Sequence, residues 1–250
     1  MSNRLETVVN SIVEGVRDAL RENNVTMDEY RKGMQFMAET MKEGEIPLLI
    51  DLYFNTTIVE NANRGREGSS NDLQGPYFLP DVPEVTNGKI KVMEEFGGDP
   101  MVLRGQVTDT SGNPVPNATM FIWNSTPDGK YSGFHDNISP EYYRGKLKTD
   151  ENGNYSVEST VPVPYQIPNQ GKVGQLLEMM GKHSWRPAHV HYKVLKEGFK
   201  DLTTQAYFEG GDWVGDDCAS GMHTDEFVMP HVEEDGKKVM EVNFIIDKAA

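Results

Sequence analysis

The spacing of apolar residues changes once along this chain, between residues 61 and 75, and that change fixes the class of fold. Before it, Leu5, Val8, Val9, Ile12, Val13, Val16 and Leu20 recur at helical spacing and form one broad stripe. Thr26 followed by Glu29 is a capping box that opens a second helix carrying Tyr30, Met34, Met37, Ala38 and Met41, which breaks near Gly44 and Pro47. A third apolar segment covers residues 48–58. The run Asn61-Ala62-Asn63-Arg64-Gly65-Arg66-Glu67-Gly68-Ser69-Ser70-Asn71-Asp72 is small and polar and reads as a linker or surface loop. Beyond it, short β-prone runs at 102–108, 119–123, 146–149, 155–161, 189–194, 202–208 and 239–246 are parted by turns such as Asp109-Thr110-Ser111-Gly112 and Asp150-Glu151-Asn152-Gly153.

This pattern predicts a mainly β fold: a β-sandwich core, residues 76–250, behind an N-terminal α-helical linker module, residues 1–75. Something must cover the helical stripe. Self-association is one answer, and packing of the helices on the sandwich is the other. A membrane surface fits less well, because the polar faces are mixed rather than rich in Lys and Arg.

With 39 Asp and Glu against 24 Lys and Arg, the formal net charge is -15. Nucleic acid is therefore not an expected partner, since its phosphates need a basic footprint. A small anionic substrate is still compatible, because a local cation dominates at short range. No stretch approaches the roughly twenty apolar residues of a membrane span, and the N-terminus has no long apolar run. A single cysteine, Cys218, excludes an internal disulfide and suits a reducing compartment. The expectation is a cytoplasmic protein that is not integral to a membrane.

Trp185-Arg186-Pro187-Ala188-His189-Val190-His191 places two imidazoles on alternate residues of a β-prone run, so both face one way. Imidazole suits iron, copper, nickel and zinc at neutral pH. A pair of hydrogen-bonded structural histidines would give the same spacing. Tyr131 and Tyr165 lie upstream in loop-like settings, the latter between Pro164 and Pro168. Two phenolates with two neutral imidazoles favour ferric iron. Zinc lacks a Cys pair or a His-Glu-x-x-His motif here, and no spacing nominates the carboxylate of a ferrous two-His-one-carboxylate triad. Chain position alone does not bring either tyrosine to the histidines.

Several runs carry a family resemblance. Trp123-Asn124-Ser125-Thr126-Pro127-Asp128-Gly129-Lys130-Tyr131-Ser132-Gly133-Phe134-His135-Asp136, Tyr143-Arg144-Gly145-Lys146, Pro164-Tyr165-Gln166-Ile167-Pro168, the Trp185 to His191 run, Leu202-Thr203-Thr204-Gln205 and Tyr207-Phe208-Glu209-Gly210-Gly211 resemble the intradiol ring-cleaving dioxygenases, most closely their chlorocatechol branch. The resemblance extends through the helical N-terminus and Gln74-Gly75-Pro76-Tyr77-Phe78. Asn124 departs from it, since these enzymes more often carry His after the tryptophan.

The resemblance implies one non-haem Fe(III) per subunit, held by Tyr131, Tyr165, His189 and His191. The implied reaction adds both atoms of O₂ to a catechol or chlorocatechol and splits the bond between the two hydroxyl-bearing carbons, giving a cis,cis-muconate. By similarity, Tyr165 leaves the metal and takes a substrate proton, Arg186 stabilises negative charge developing on the substrate, and Gln205 assists by hydrogen bonding. Leu49, Leu52, Leu73, Pro76, Tyr77, Cys218 and Ala219 would wall the substrate, with Cys218 and Ala219 leaving room for a ring chlorine. The resemblance also implies a homodimer through the N-terminal helices, with bound phospholipid. Two alternatives stand beside it: a catechol 1,2-dioxygenase preferring unsubstituted or alkylated rings, and, from residues 105–118, a non-enzymatic transthyretin-like β-sandwich binding module, which would not require the two tyrosines, the two histidines and Arg186 together.

Overall fold

A computed structural model describes residues 3–135, 138–219 and 225–249; Asp136, the last residue of the longest family-like run, lies outside them. Three helices open the chain: α1 Arg4–Glu22, α2 Met27–Lys42 and α3 Ile46–Asn63. The capping box expected at α2 is formed in both directions between Thr26 and Glu29. Gly44, at φ 75°, and Pro47 in the first turn of α3 make the break between α2 and α3.

The β-prone runs become two five-stranded sheets. Strands β1 Pro100–Asp109, β2 Thr119–Asn124, β3 Arg144–Lys148, β4 Asn154–Thr160, β5 Tyr165–Gln166, β6 Trp185–Arg186, β7 His189–Leu195, β8 Leu202–Phe208, β9 Val228–Met229, β10 His231–Glu234, β11 Lys237–Glu241 and β12 Phe244–Ile246 follow in order, with helix α4 Lys172–Met179 between β5 and β6. One sheet runs β10-β11-β1-β12, with β4 on the other edge of β1; the second runs β3-β2-β7-β8-β9; β5 and β6 pair by themselves. Leu103, Val107, Val157, Met240 and Phe244 from the first sheet meet Met120, Ile122, Val190, Tyr192, Leu202 and Ala206 from the second in one buried cluster, the filling of a sandwich.

The second sheet is covered on its outer face as well. Phe121 and Trp123, which alternate with Met120 and Ile122 along β2, join Leu52 of α3, Val173 and Leu177 of α4, and Tyr131, Tyr165 and Ile167 in a second apolar layer. Helix α4 has no side-chain cap of its own. Instead the carboxylates of Glu43 and Glu45, just beyond α2, accept from the Lys172 and Val173 N–H groups at 3.1 and 2.9 Å. Lys172 Nζ adds an ion pair to Glu39 at 2.7 Å.

Two sequence expectations change. The run 239–246 is not one strand: β11 ends at Glu241 and β12 starts at Phe244, because the Val242 carbonyl turns towards β1 and accepts from the Tyr155 hydroxyl at 2.7 Å. Gly105 makes this possible, since a Cβ there would lie 1.9 Å from that carbonyl oxygen. The polar run before residue 75 is also more than a linker. Ser69 exchanges hydrogen bonds with Ile245, the Asp72 N–H donates to Thr203 O at 2.8 Å, and Asn71 Oδ1 accepts from the Thr203 N–H at 3.0 Å. This strap satisfies its own backbone on strand edges, a pairing that leaves no apolar period to read.

Gly105→Ala is expected to lower unfolding stability by about 2–3 kcal/mol, because backbone must move to admit the methyl group. Urea unfolding followed by circular dichroism checks this; a variant as stable as the parent would show that the Val242 carbonyl does not need Gly105.

Candidate metal centre and substrate cavity

Strand pairing lays the candidate residues in a row on the outer face of the second sheet. His189 lies opposite Tyr207, and His191 lies between Trp123 and Gln205. Val190 and Tyr192 point the other way, into the sandwich filling. The two-residue ladder of β5 and β6 sets Tyr165 opposite Arg186, three residues before His189. Tyr131 comes from the loop after β2, closed by the Thr126 N–H to Lys130 O at 2.7 Å and the Gly129 N–H to Thr126 O at 3.0 Å. Gly129, at φ 82°, lets this loop lie against Tyr165, whose Cβ would be 3.1 Å from an added methyl.

His189 Nε2 and His191 Nε2 are 3.1 Å apart, and each is 3.3 Å from the Tyr131 hydroxyl. The Tyr131 and Tyr165 rings meet edge to face with centroids 5.5 Å apart, and Tyr165 lies 5.7 Å from the His189 ring. All four side chains sequence analysis singled out are therefore brought together, and all four are buried.

Proton bookkeeping tests whether this cluster suits a cation. His189 Nδ1 is 2.8 Å from Pro187 O, which fixes the tautomer with the proton on Nδ1 and leaves Nε2 as a bare lone pair. His191 Nδ1 is buried without a partner; either tautomer of that ring strands a polar atom. One phenol proton cannot satisfy both imidazoles. Burial, reinforced by Arg186, drives His189 down to about 3, and burial with His189 beside it holds His191 well below its usual value, so both rings are neutral. Burial pushes Tyr131 far up, with Tyr165 nearby adding to this, and raises Tyr165 against the downward pull of Arg186. Two neutral imidazoles and two phenols that need a positive charge to ionise are a donor set a trivalent metal completes. Among the described residues, no three His, Cys, Asp or Glu side chains group as an alternative metal site.

Further contacts hold the donors. Trp123 stacks on His191 with centroids 4.7 Å apart and planes 1° from parallel, and Tyr77 stacks on Tyr131 at 4.2 Å. Gln205 Nε2 donates to Leu73 O in the strap at 2.6 Å, while its Oε1 accepts from Arg186 Nη2 at 3.1 Å. Asn124, the departure from the family pattern, donates to Thr160 O at 3.2 Å and accepts from Ser159 Oγ at 3.2 Å, a bond to β4 and not to the centre.

A cavity of about 360 Å³ opens beside Tyr165 and Arg186. Leu52, Leu73, Pro76, Tyr77 and Ala219 line it as expected. Leu49 and Cys218 do not; they pack in the apolar layer behind. On α3 the phase that lines the cavity is Leu48, Asp51, Leu52 and Asn55, spaced three and four apart, and Leu49 falls off that face. A turn in which the Ala219 N–H donates to Asp217 Oδ1 at 2.9 Å presents Ala219, not Cys218. Sequence reasoning missed Asp72, Tyr207 and Asp217, which surround Arg186, and Ile167 and Pro168, which close the cavity.

The comparisons with known proteins decide the family. Residues 73–248 match the family described as Dioxygenase, and residues 2–70 match the family described as Catechol dioxygenase N terminus. The chain belongs to the intradiol dioxygenase family. It is 47% identical over 249 residues to a chlorocatechol 1,2-dioxygenase of Pseudomonas sp. strain P51, covering 100% of this chain and 98% of that one. The crystal structure of the chlorocatechol 1,2-dioxygenase from Pseudomonas putida superposes with a TM-score of 0.94 at 47% identity, over 99% of this chain and 100% of that one. The catechol 1,2-dioxygenase of Acinetobacter radioresistens gives a TM-score of 0.85 at 26% identity, over 100% of this chain and 87% of that one. The sandwich of this dioxygenase is thus a family architecture, and no helix among its described residues is long and apolar enough to cross a membrane.

Asp72 gives the site a pH signature. Burial raises its carboxyl to about 7 against the opposing pull of the Leu73 N–H. A carboxyl raised in the native state favours folding most below its ordinary value of 3.8, and that contribution is lost as pH rises towards 7. Asp72→Asn removes the titration. Between about pH 5 and pH 8, the variant is expected to lose less stability than the parent; parallel denaturation curves at both pH values would contradict it.

Proposed function

We propose that this dioxygenase holds one ferric ion through Tyr131, Tyr165, His189 and His191 and cleaves catechols, chlorinated ones among them, between the two hydroxyl-bearing carbons. The convergence of two imidazole Nε2 atoms and a phenol oxygen within 3.3 Å of one another, beside Tyr165 and Arg186 of the cavity lining, carries this reading. Its relatives named as chlorocatechol 1,2-dioxygenases support the substrate class. The reaction is balanced: one catechol and one O₂ give one cis,cis-muconate, both oxygen atoms entering the two new carboxyl groups.

Bound ferric iron would act as a Lewis acid that favours the doubly ionised catechol and draws electron density from its ring. The remaining work falls to the chain. Tyr165, beside the cavity and ionised while it holds the metal, would take one catechol proton at its Oη, and the other would pass to water or hydroxide leaving the cavity. Arg186 is 4% exposed and keeps its charge, which stabilises negative charge developing on the substrate oxygens. Gln205 anchors Arg186 Nη2 to the strap. Leu52, Leu73, Pro76 and Ile167 exclude water around the ring, and Ala219 leaves space for a substituent.

On this reading residues 1–75 form the helical dimerisation and linker module and residues 76–250 the catalytic domain. No residue of α1 is buried, and Leu5, Ile12 and Val16 are exposed, so a second copy of the chain would cover the stripe. Phospholipid tails would share that apolar surface. The lone, free Cys218 agrees with a cytoplasmic setting.

An anaerobic visible spectrum tests the metal reading: iron-loaded protein is expected to be red from phenolate-to-iron charge transfer, with the band moving to longer wavelength on adding 4-chlorocatechol. Protein that stays colourless after iron reconstitution sinks it. Ala219→Phe is expected to lower kcat/KM for chlorinated catechols about 10-fold more than for catechol, a margin within what one pocket wall can decide; equal losses would remove Ala219 from the wall. Ile12→Glu combined with Val16→Glu is expected to convert a dimer to a monomer in sedimentation velocity, and lipid extraction with mass spectrometry of both forms tests the bound phospholipid.

A further inference from the structure

A guanidinium is a rigid fork of five N–H donors, so the edge it turns to the substrate decides where its charge acts. Two of the three nitrogens of Arg186 are engaged away from the metal donors. Nε donates to both carboxylate oxygens of Asp217, at 3.1 and 3.2 Å. Nη2 donates to Asp217 Oδ2 at 2.8 Å and to Gln205 Oε1 and Tyr207 Oη, each at 3.1 Å. Nη1 makes none of these bonds and lies 3.4 Å from His189 Nε2. The ion pair is dry: side-chain exposure is 5% for Arg186 and 1% for Asp217.

The segment that brings Asp217 is itself held in place. The Cys218 N–H donates to Trp185 O, immediately before Arg186 in β6, at 3.0 Å. Trp213, held at φ 66°, lies parallel to Trp185 with centroids 5.8 Å apart and against the His183 ring at 4.4 Å. Asp217 Oδ1 accepts the Ala219 N–H, which ties the carboxylate to the cavity wall. A surface carboxylate that happened to reach an arginine would need none of this.

We propose that Asp217 is a positioning residue for ring cleavage: by occupying the Nε–Nη2 edge of Arg186 it leaves Nη1 as the edge presented to bound substrate. This rests on the reading of Arg186 as the group that stabilises substrate charge. Asp217 does not itself line the cavity; it holds the Ala219 N–H of the wall and reaches the substrate charge through the guanidinium.

A double-mutant cycle tests it, with Asp217→Asn made in the parent and in Arg186→Gln. In the parent, Asp217→Asn is expected to lower kcat on the order of 10- to 100-fold. Its tyrosinate charge-transfer band should be unchanged, and its anaerobic dissociation constant for 4-chlorocatechol should stay within about 3-fold. In the Arg186→Gln background the same change is expected to cost less than about 2-fold. Equal losses in both backgrounds, an unchanged kcat in the parent, or loss of the tyrosinate band in Asp217→Asn would each overturn the proposal. If Asp217→Asn does not fold because it leaves a buried cation unpaired, Asp217→Glu, which keeps the charge on a longer arm, carries the same comparison. Should Arg186→Gln alone turn over normally, the functional reading of Arg186 fails and the proposal falls with it; an impaired Arg186→Gln beside a fully active Asp217→Asn overturns the role of Asp217 alone.

Discussion

A strand buried on both faces must satisfy two environments at once, and the rest of this molecule depends on how β7 does so. Val190, Tyr192 and Val194 fill the sandwich, while His189 and His191 face outward beneath helices and loops. The sandwich filling holds the strand straight and in register. That register sets the distance between the two imidazoles, and a slip of one residue would send both into the apolar filling. The outer layer therefore exists to keep water from a polar row that a two-layer sandwich would leave exposed: α3 and α4, the loop of Tyr131, and the short ladder of Tyr165 and Arg186.

Desolvation gives this row its chemistry. Burial keeps the imidazoles neutral, and so available as lone-pair donors, and makes free phenolates costly until a cation arrives. The same burial would be prohibitive for Arg186 without Asp217. The centre is thus built from groups that each await a charge, beside one cation whose charge is already matched.

Where local periodicity carried the information, the sequence was readable. The stripe from Leu5 to Leu20 lies within α1, Thr26 and Glu29 cap α2, and the runs around Val102, Thr119, His189 and Leu202 are strands of the two sheets. The His-x-His spacing put both imidazoles on one face of a strand, which is where β7 carries them. Tyr131 and Tyr165 were nominated by their settings and by family resemblance, because residues so far apart in the chain, 58 and 60 positions for Tyr131 and the two histidines, leave no local trace. Asp72, Tyr207 and Asp217 went unnoticed for a related reason: a buried carboxylate or phenol reads as an ordinary polar residue until the guanidinium it binds is in view. Leu49 and Cys218 were displaced from the cavity by a helix phase and a turn, each a matter of one residue.

The strap between the helices and the sandwich changes what the two parts of the chain mean. Leu73 supplies the carbonyl that Gln205 needs, and Asp72 supplies the carboxyl beside Tyr207. Cutting at residue 75 would leave every proposed iron-binding side chain on the larger fragment while stripping the arginine's scaffold of its backing. The helical half is then a structural subunit of the catalytic centre, and the two halves could diverge only by keeping that short polar seam in step.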